Sequence, residues 1–244
     1  MRTLLIRGML VGIVAGLLSV AFAYVAGEPA LEAGIGFEER TSHAAGGPEV
    51  EMVSRAVQST VGLATAVVVY GAVLGGIFAL VYALVSGRVG RLSPRATAAV
   101  LALVAYLVAF VVPFLKYPAN PPGASDPGTI TQRTWLYLAM VIISVGAAAG
   151  AAVLGRRLAP RSGPWNAALL ATVAYLVVVV VAGFVLPPVD ETPAGFPAGA
   201  LYDFRVAALG TQLVLWATIG LLFGWLTERS LRQAGLRAMA VQNL

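Results

Sequence analysis

The sequence has no cysteine, one histidine and one lysine, and only 11% of its 244 residues are charged. Without cysteine there is no disulfide framework, no thiolate metal site and no dithiol redox motif. The scarcity of charge excludes an ordinary soluble domain, where roughly 25% of residues carry one. No Asp, Glu, His or Lys falls in the middle of an apolar run. That argues against a proton relay built from buried carboxylates. It argues equally against an intramembrane hydrolase, which needs a nucleophile beside a base or a metal. HExxH, P-loop and glycine-rich dinucleotide signatures are absent as well. The pI near 9.9 does not point to nucleic acid. The arginines stand singly at the ends of apolar runs and do not form a continuous basic face.

What the chain does have is apolar length. Hydrophobic residues make up 59% of it, and its mean hydropathy is +0.86. Such a chain uses the lipid bilayer as its solvent. Six runs reach the roughly 20 residues that span a hydrocarbon core: 8–26, 56–86, 96–115, 134–155, 165–186 and 206–227. The fold expected is an all-α, polytopic bundle of six transmembrane helices. Residues 1–229 form its single integral membrane domain and 230–244 a short tail. Ser93 followed by Pro94 marks the start of the third helix. Gly8, Gly12 and Gly16 recur at four-residue spacing, as do Gly71/Gly75, Gly146/Gly150 and Gly220/Gly224. Small residues so spaced let helices approach closely in lipid. The first run has a rival reading as a cleaved signal peptide, with a basic start and "AFA" at 21–23.

The arginines orient the bundle. Eleven of the 16 cations (Arg2, Arg7, Arg88, Arg91, Arg95, Arg156, Arg157, Arg161, Arg229, Arg232 and Arg237) share one set of connecting segments with a single acid, Glu228. The other five cations face ten of the 11 acids. The positive-inside rule therefore places both termini in the cytoplasm. A long outer loop separates the first two helices, and prolines and glycines are expected to cut all three outer loops into non-helical segments.

The outer loops carry the candidate chemistry. His43, Glu28, Glu38, Glu39, Asp126, Asp190 and Glu191 are candidate metal ligands. An imidazole with carboxylates and no thiol suits divalent ions such as Co, Ni, Zn, Mn or Mg, although a solvated acidic loop is the simpler account of them. Arg55, Arg133 and Arg205 each stand where a helix starts on the outer side, against both the dipole and the positive-inside rule. Pairing with outer acids would offset this: Glu51 precedes Arg55 by four residues and Asp203 precedes Arg205 by two. With Gln58, Gln132, Gln212 and Asn120 these groups make either a set of structural ion pairs or a polar vestibule. Lys116 closes the third helix inside "PFLKYPANPP", 113–122. A cation is favoured at a helix C-terminus, and a lysine there can snorkel to the interface.

In order along the chain stand "GEP" (27–29), "FEE" (37–39), His43, "VSR" (53–55), "PFLKYPANPP" (113–122), "DPGTI" (126–130), "RTWLY" (133–137), "WNAAL" (165–169), "LPPVDETPAGFP" (186–197) and "FRVAALGTQLVLWA" (204–217). This series resembles the CbtA family of predicted cobalt transporter subunits over almost the whole chain. The resemblance implies a multi-pass protein of the bacterial cytoplasmic membrane and cobalt uptake tied to cobalamin synthesis, with Co(II) as the transported ion and no tightly bound cofactor. It also implies a small single-span CbtB-type partner whose end carries histidines, which would supply the imidazoles that this chain lacks. Two other readings remain open from the residues: a non-transporting membrane scaffold that docks a partner, and a membrane enzyme whose arginines recognise an outward-facing acidic or phosphorylated lipid.

Overall fold

The computed structural model describes residues 1–45, 63–88 and 92–242. Among these every regular element is helical. Helix α1 is Arg2–Ala45, α2 is Leu63–Val85 and α3 is Pro94–Ala105. A π-helical segment, Tyr106–Val111, joins α3 to the short α4, Val112–Lys116. A 3₁₀ turn at Pro127–Thr129 leads into α5, Ile130–Val185, and α6 is Ala198–Gln242. Five helical stretches are long and apolar enough to cross a membrane.

The helices outrun their apolar runs. The segment after residue 26 was expected to be non-helical, yet α1 continues through Gly27, Pro29, Gly34 and Gly36 to Ala45. Strong helix formers on either side (Ala30, Leu31, Glu32, Ala33, Glu38, Glu39, Arg40) outweigh the breakers. Arg40 donates to the Gly36 carbonyl at 2.7 Å and Thr41 to that of Phe37 at 3.0 Å, satisfying late carbonyls of the helix. Similarly, Asp203 and Arg205 lie inside the first turns of α6 and not in a loop, and the residues expected as a tail continue α6 to Gln242.

The fourth and fifth runs form one 56-residue element with a break inside it. Gly163 sits there at φ 77°, ψ 159°, a conformation open to glycine and strained for other residues. Pro160 and Pro164 flank it. The two arms return alongside each other. Met140 packs with Val179, Tyr175 donates to Ser144 Oγ at 2.9 Å, and a Cβ on Gly155 would lie 3.4 Å from that of Ala171. These pairs are roughly symmetric about Gly163, as in an antiparallel hairpin. A straight helix of this length would run about 84 Å, whereas the hydrocarbon core is roughly 30 Å thick.

The chain forms two compact units. The first comprises Met1–Glu28, Gly46–Ala105 and Ala207–Leu244. Val11, Ala15, Phe78, Tyr82, Ala98, Leu215, Ile219 and Phe223 form its core. The small-residue spacing has its expected role here. A Cβ on Gly12 would overlap the carbonyl oxygen of Gly71, and one on Gly8 that of Gly75, so α1 and α2 meet backbone to backbone. Gly220 and Gly224 make the same close approach to Ala98 and Ala102 on α3. Phe223 fills the centre, edge-on to Phe78 at 5.4 Å and to Tyr82 at 5.1 Å. Gly146 and Gly150 differ: a Cβ there would meet nothing within 4 Å. Ser93 caps α3 as expected, accepting from the Ala96 N–H at 3.2 Å.

The second unit comprises Pro29–Ala45 and Tyr106–Val206. Pro113 explains its π segment. In a π register each N–H reaches back five residues, and Pro113 has no N–H to offer Val108. Ser144 supplies the missing donor: its hydroxyl, 0% exposed, donates to the Val108 carbonyl at 2.6 Å. A hydroxyl in the middle of a helix commonly bonds back to a carbonyl of its own helix. Thr172 does so, to Ala168 at 2.9 Å. Ser144 bonds across helices because an orphaned carbonyl in an apolar surrounding costs more than a shared one.

Candidate functional site

The second unit gathers the loop after α4, the first turn of α5, the loop after α5 and the second turn of α6 into one polar knot. Its scaffold is proline-rich. The stretch Pro121-Pro122-Gly123-Ala124 closes a turn, with the Ala124 N–H donating to the Pro121 carbonyl at 3.2 Å. Gly123 has φ 73°. Proline at the second position and glycine at positive φ in the third are the requirements of a type II turn. Pro121 is fully buried. A Cβ on Gly34 would come within 2.7 Å of the Pro122 carbonyl oxygen, so the C-terminal part of α1 presses directly on this turn. The Tyr117 hydroxyl donates to the Pro187 carbonyl at 2.8 Å, tying the two loops together. Phe196 is buried and meets Phe37 edge-on at 5.1 Å.

At the centre lies Glu191, whose side chain is only 3% exposed. One carboxylate oxygen accepts from the Arg133 guanidinium and from the Asn120 amide nitrogen, the latter at 3.2 Å. The other accepts from the Thr129 hydroxyl. Arg133 also donates to Ser125 Oγ at 2.5 Å. On the far side of Asn120, Arg205 donates to its amide oxygen at 2.8 Å. The amide orientation follows from charge: the nitrogen faces the carboxylate and the oxygen faces the guanidinium. Burial pushes the Glu191 carboxyl up. The hydrogen bonds from Thr129 and Arg133 and the charge of Arg133 outweigh that, and the net direction is downward from 4.5. Glu191 is therefore held as a carboxylate.

The sequence-predicted residues separate into groups. Arg133 pairs with an acid as expected, but the partner is Glu191, 58 residues away in sequence. Arg205 pairs with Asn120 and not with Asp203, which is exposed and forms no ion pair among the described residues. Helix geometry explains this, since residues two apart do not face each other. The Arg205 Nε is buried with no hydrogen-bond partner among the described residues. Gln132 is exposed and Gln212 half-buried. Lys116 occupies the last turn of α4, half-buried, with its ammonium 5.7 Å from the centre of the Tyr117 ring. Glu51, Arg55 and Gln58 lie outside the described residues, as does the side chain of His43, whose backbone belongs to α1.

Of the remaining metal candidates, Glu28 and Glu38 are half-buried, and Glu39, Asp126 and Asp190 are exposed. Asp126 accepts from the Gly128 N–H at 2.8 Å, a local turn bond. No three His, Asp or Glu residues converge on a common point among the described residues. Glu191 already has three donors on its two oxygens. Ser125 and Thr129 are the members of the knot that sequence reasoning did not single out. Short hydroxyl residues in a polar loop carry no local signal of a distant carboxylate.

The knot therefore offers a fixed arrangement of two guanidiniums, one amide and one buried carboxylate beside long apolar helices. No curated protein and no solved structure matches the chain. Residues 1–228 match the family described as probable cobalt transporter subunit (CbtA), and the chain belongs to that family.

Proposed function

We propose that this chain is the polytopic membrane subunit of a cobalt uptake system. Its six apolar arms cross the bilayer, with α5 crossing twice, and both termini lie in the cytoplasm. The Glu191 knot lies at the outer face and fixes the shape of the polar opening through which the ion approaches. The single observation that carries this reading is the knot itself. A carboxylate only 3% exposed, held by an arginine and an amide, is costly to build in a chain this apolar. Family membership as a transporter subunit supports the same reading.

In this account the carboxylates of Glu28, Glu38, Glu39, Asp126 and Asp190, together with His43, raise the local cation concentration at the outer face. Glu191 contributes shape more than ligation, because a metal at its oxygens would compete with Arg133. The single histidine of the chain fits a division of labour, in which a small single-span CbtB-type partner supplies imidazoles from a histidine-bearing end. Octahedral Co(II) accepts such mixed N and O ligands. Radiolabelled cobalt uptake, measured in cells with and without this chain, alone and beside its partner, tests the reading. Accumulation that depends on this chain supports it. A chain needed only to keep the partner in the membrane, with uptake intact when another anchor replaces it, would make the chain a scaffold.

A further inference from the structure

A second polar site lies in the first unit, where α3 begins and α6 passes its eighth to eleventh turns. Arg95, Trp225, Glu228, Arg229, Arg232 and Leu236 line a cavity of about 200 Å³. Three guanidiniums share it with one carboxylate. Glu228 bonds Arg232 at 2.6 Å and reaches Arg95 at 3.9 Å. Arg229 has no share in that carboxylate. Its guanidinium instead lies 5.4 Å from the Trp225 ring centre. Two positive charges are thus left uncompensated among the described residues lining one cavity. The α3 N-terminus adds a partial positive charge close to Arg95. The cavity has room for several waters, each about 30 Å³, and so for a phosphate group. Its rim combines a tryptophan, suited to the membrane–water interface, with exposed Leu236.

We infer that this cavity binds the phosphate of an anionic phospholipid, with Arg95, Arg229 and Arg232 on the headgroup and Trp225 at the acyl–headgroup boundary. Charge complementarity selects an anion, since Glu228 offsets only one of the three guanidinium charges in the cavity. The adjoining tryptophan and leucine select a lipid over a free ion. Basic pockets between transmembrane helices take anionic headgroups by the same physics.

Native mass spectrometry of the purified full chain in detergent tests this, with phosphatidylglycerol and phosphatidylcholine offered in equal amounts. The expected result is preferential retention of phosphatidylglycerol. Arg229→Gln and Arg232→Gln should each weaken it about fivefold. Both side chains are exposed, and that of Arg232 is 76% exposed, so neither change should threaten folding. Arg156→Gln with Arg157→Gln, on α5 and not among the cavity's lining residues, should leave retention unchanged. Millimolar inorganic phosphate should leave the lipid in place. Equal retention of the two lipids, equal loss in the Arg156/Arg157 variant, or displacement by inorganic phosphate would each overturn the inference.

Discussion

Arg205 donates to the amide oxygen of Asn120 at 2.8 Å, while the nitrogen of the same amide donates to Glu191 at 3.2 Å. One neutral side chain therefore mediates between a cation on α6 and a carboxylate in the loop after α5. Asn120→Ala would leave both charged groups short of a partner in a desolvated place. The expected cost is about 1–3 kcal/mol of stability, read as a lowered unfolding midpoint of the purified protein. Arg133→Ala with Asn120→Ala should be less damaging than the sum of the two single changes, because both act on the same carboxylate. Strict additivity would mean that the knot does not act as a unit.

Glu191→Gln removes the counterion of Arg133, whose side chain is 27% exposed. Breaking a buried pair costs about 3 kcal/mol or more, and a somewhat smaller loss is expected here because Arg133 retains some water. The pH dependence follows from the lowered carboxyl. A group whose folded value lies below its unfolded value of 4.5 contributes stability that is fully present above 4.5 and is lost as pH falls through the folded value. Wild-type stability should accordingly fall on acidification below about pH 4.5. The Glu191→Gln curve should lack that component. Parallel curves for the two proteins would remove Glu191 from the account.

The glycine contacts separate two classes of position. Gly12→Ala or Gly71→Ala places a methyl into the opposing backbone, so folded yield and thermal midpoint should both drop. Gly146→Ala meets open space, and should be neutral or stabilising by up to about 1 kcal/mol through helix propensity. Size-exclusion profiles and melting of the three variants check the distinction. A Gly12→Ala protein as stable as Gly146→Ala would show that the α1–α2 contact is looser than described.

The break in α5 decides the number of crossings. Topology reporters inserted at Gly123 and Gly195 should report the same side, and one at Gly163 the opposite side. Opposite reports from Gly123 and Gly195 would mean that α5 crosses once and the bundle has five spans.

Much of the fold is legible in the sequence because apolar length is its dominant signal. All six runs lie in helices over their described residues, and Ser93 with Pro94 marks a real helix start. The small-residue spacing found the α1–α2 seam, yet the same spacing at Gly146 and Gly150 found none. Spacing shows that two helices can approach, and only the partner surface shows that they do. The segment after residue 26 was misread as non-helical because breakers sit there among strong helix formers, at Gly27, Pro29, Gly34 and Gly36. The knot was half legible. Arg133 and Arg205 stood out because they break the positive-inside pattern, and "PFLKYPANPP" stood out by composition. Their partners did not. Local sequence pointed Arg205 to Asp203, whereas tertiary packing gave it Asn120, 85 residues away. Likewise, Ser144 gave no hint that it serves the carbonyl orphaned by Pro113.

The central claim joins the knot to cobalt movement, and one measurement bears on it most directly. Initial rates of radiolabelled cobalt uptake would be followed at limiting metal, in cells carrying the partner with wild-type chain, with Asn120→Ala, or with no chain. Surface amounts would be matched by quantitative blotting. The account predicts uptake well above the chain-free level for wild type, and a several-fold reduction for Asn120→Ala at equal surface amount. Uptake by Asn120→Ala equal to wild type would separate the knot from transport, and wild-type uptake no higher than in chain-free cells would contradict the account itself.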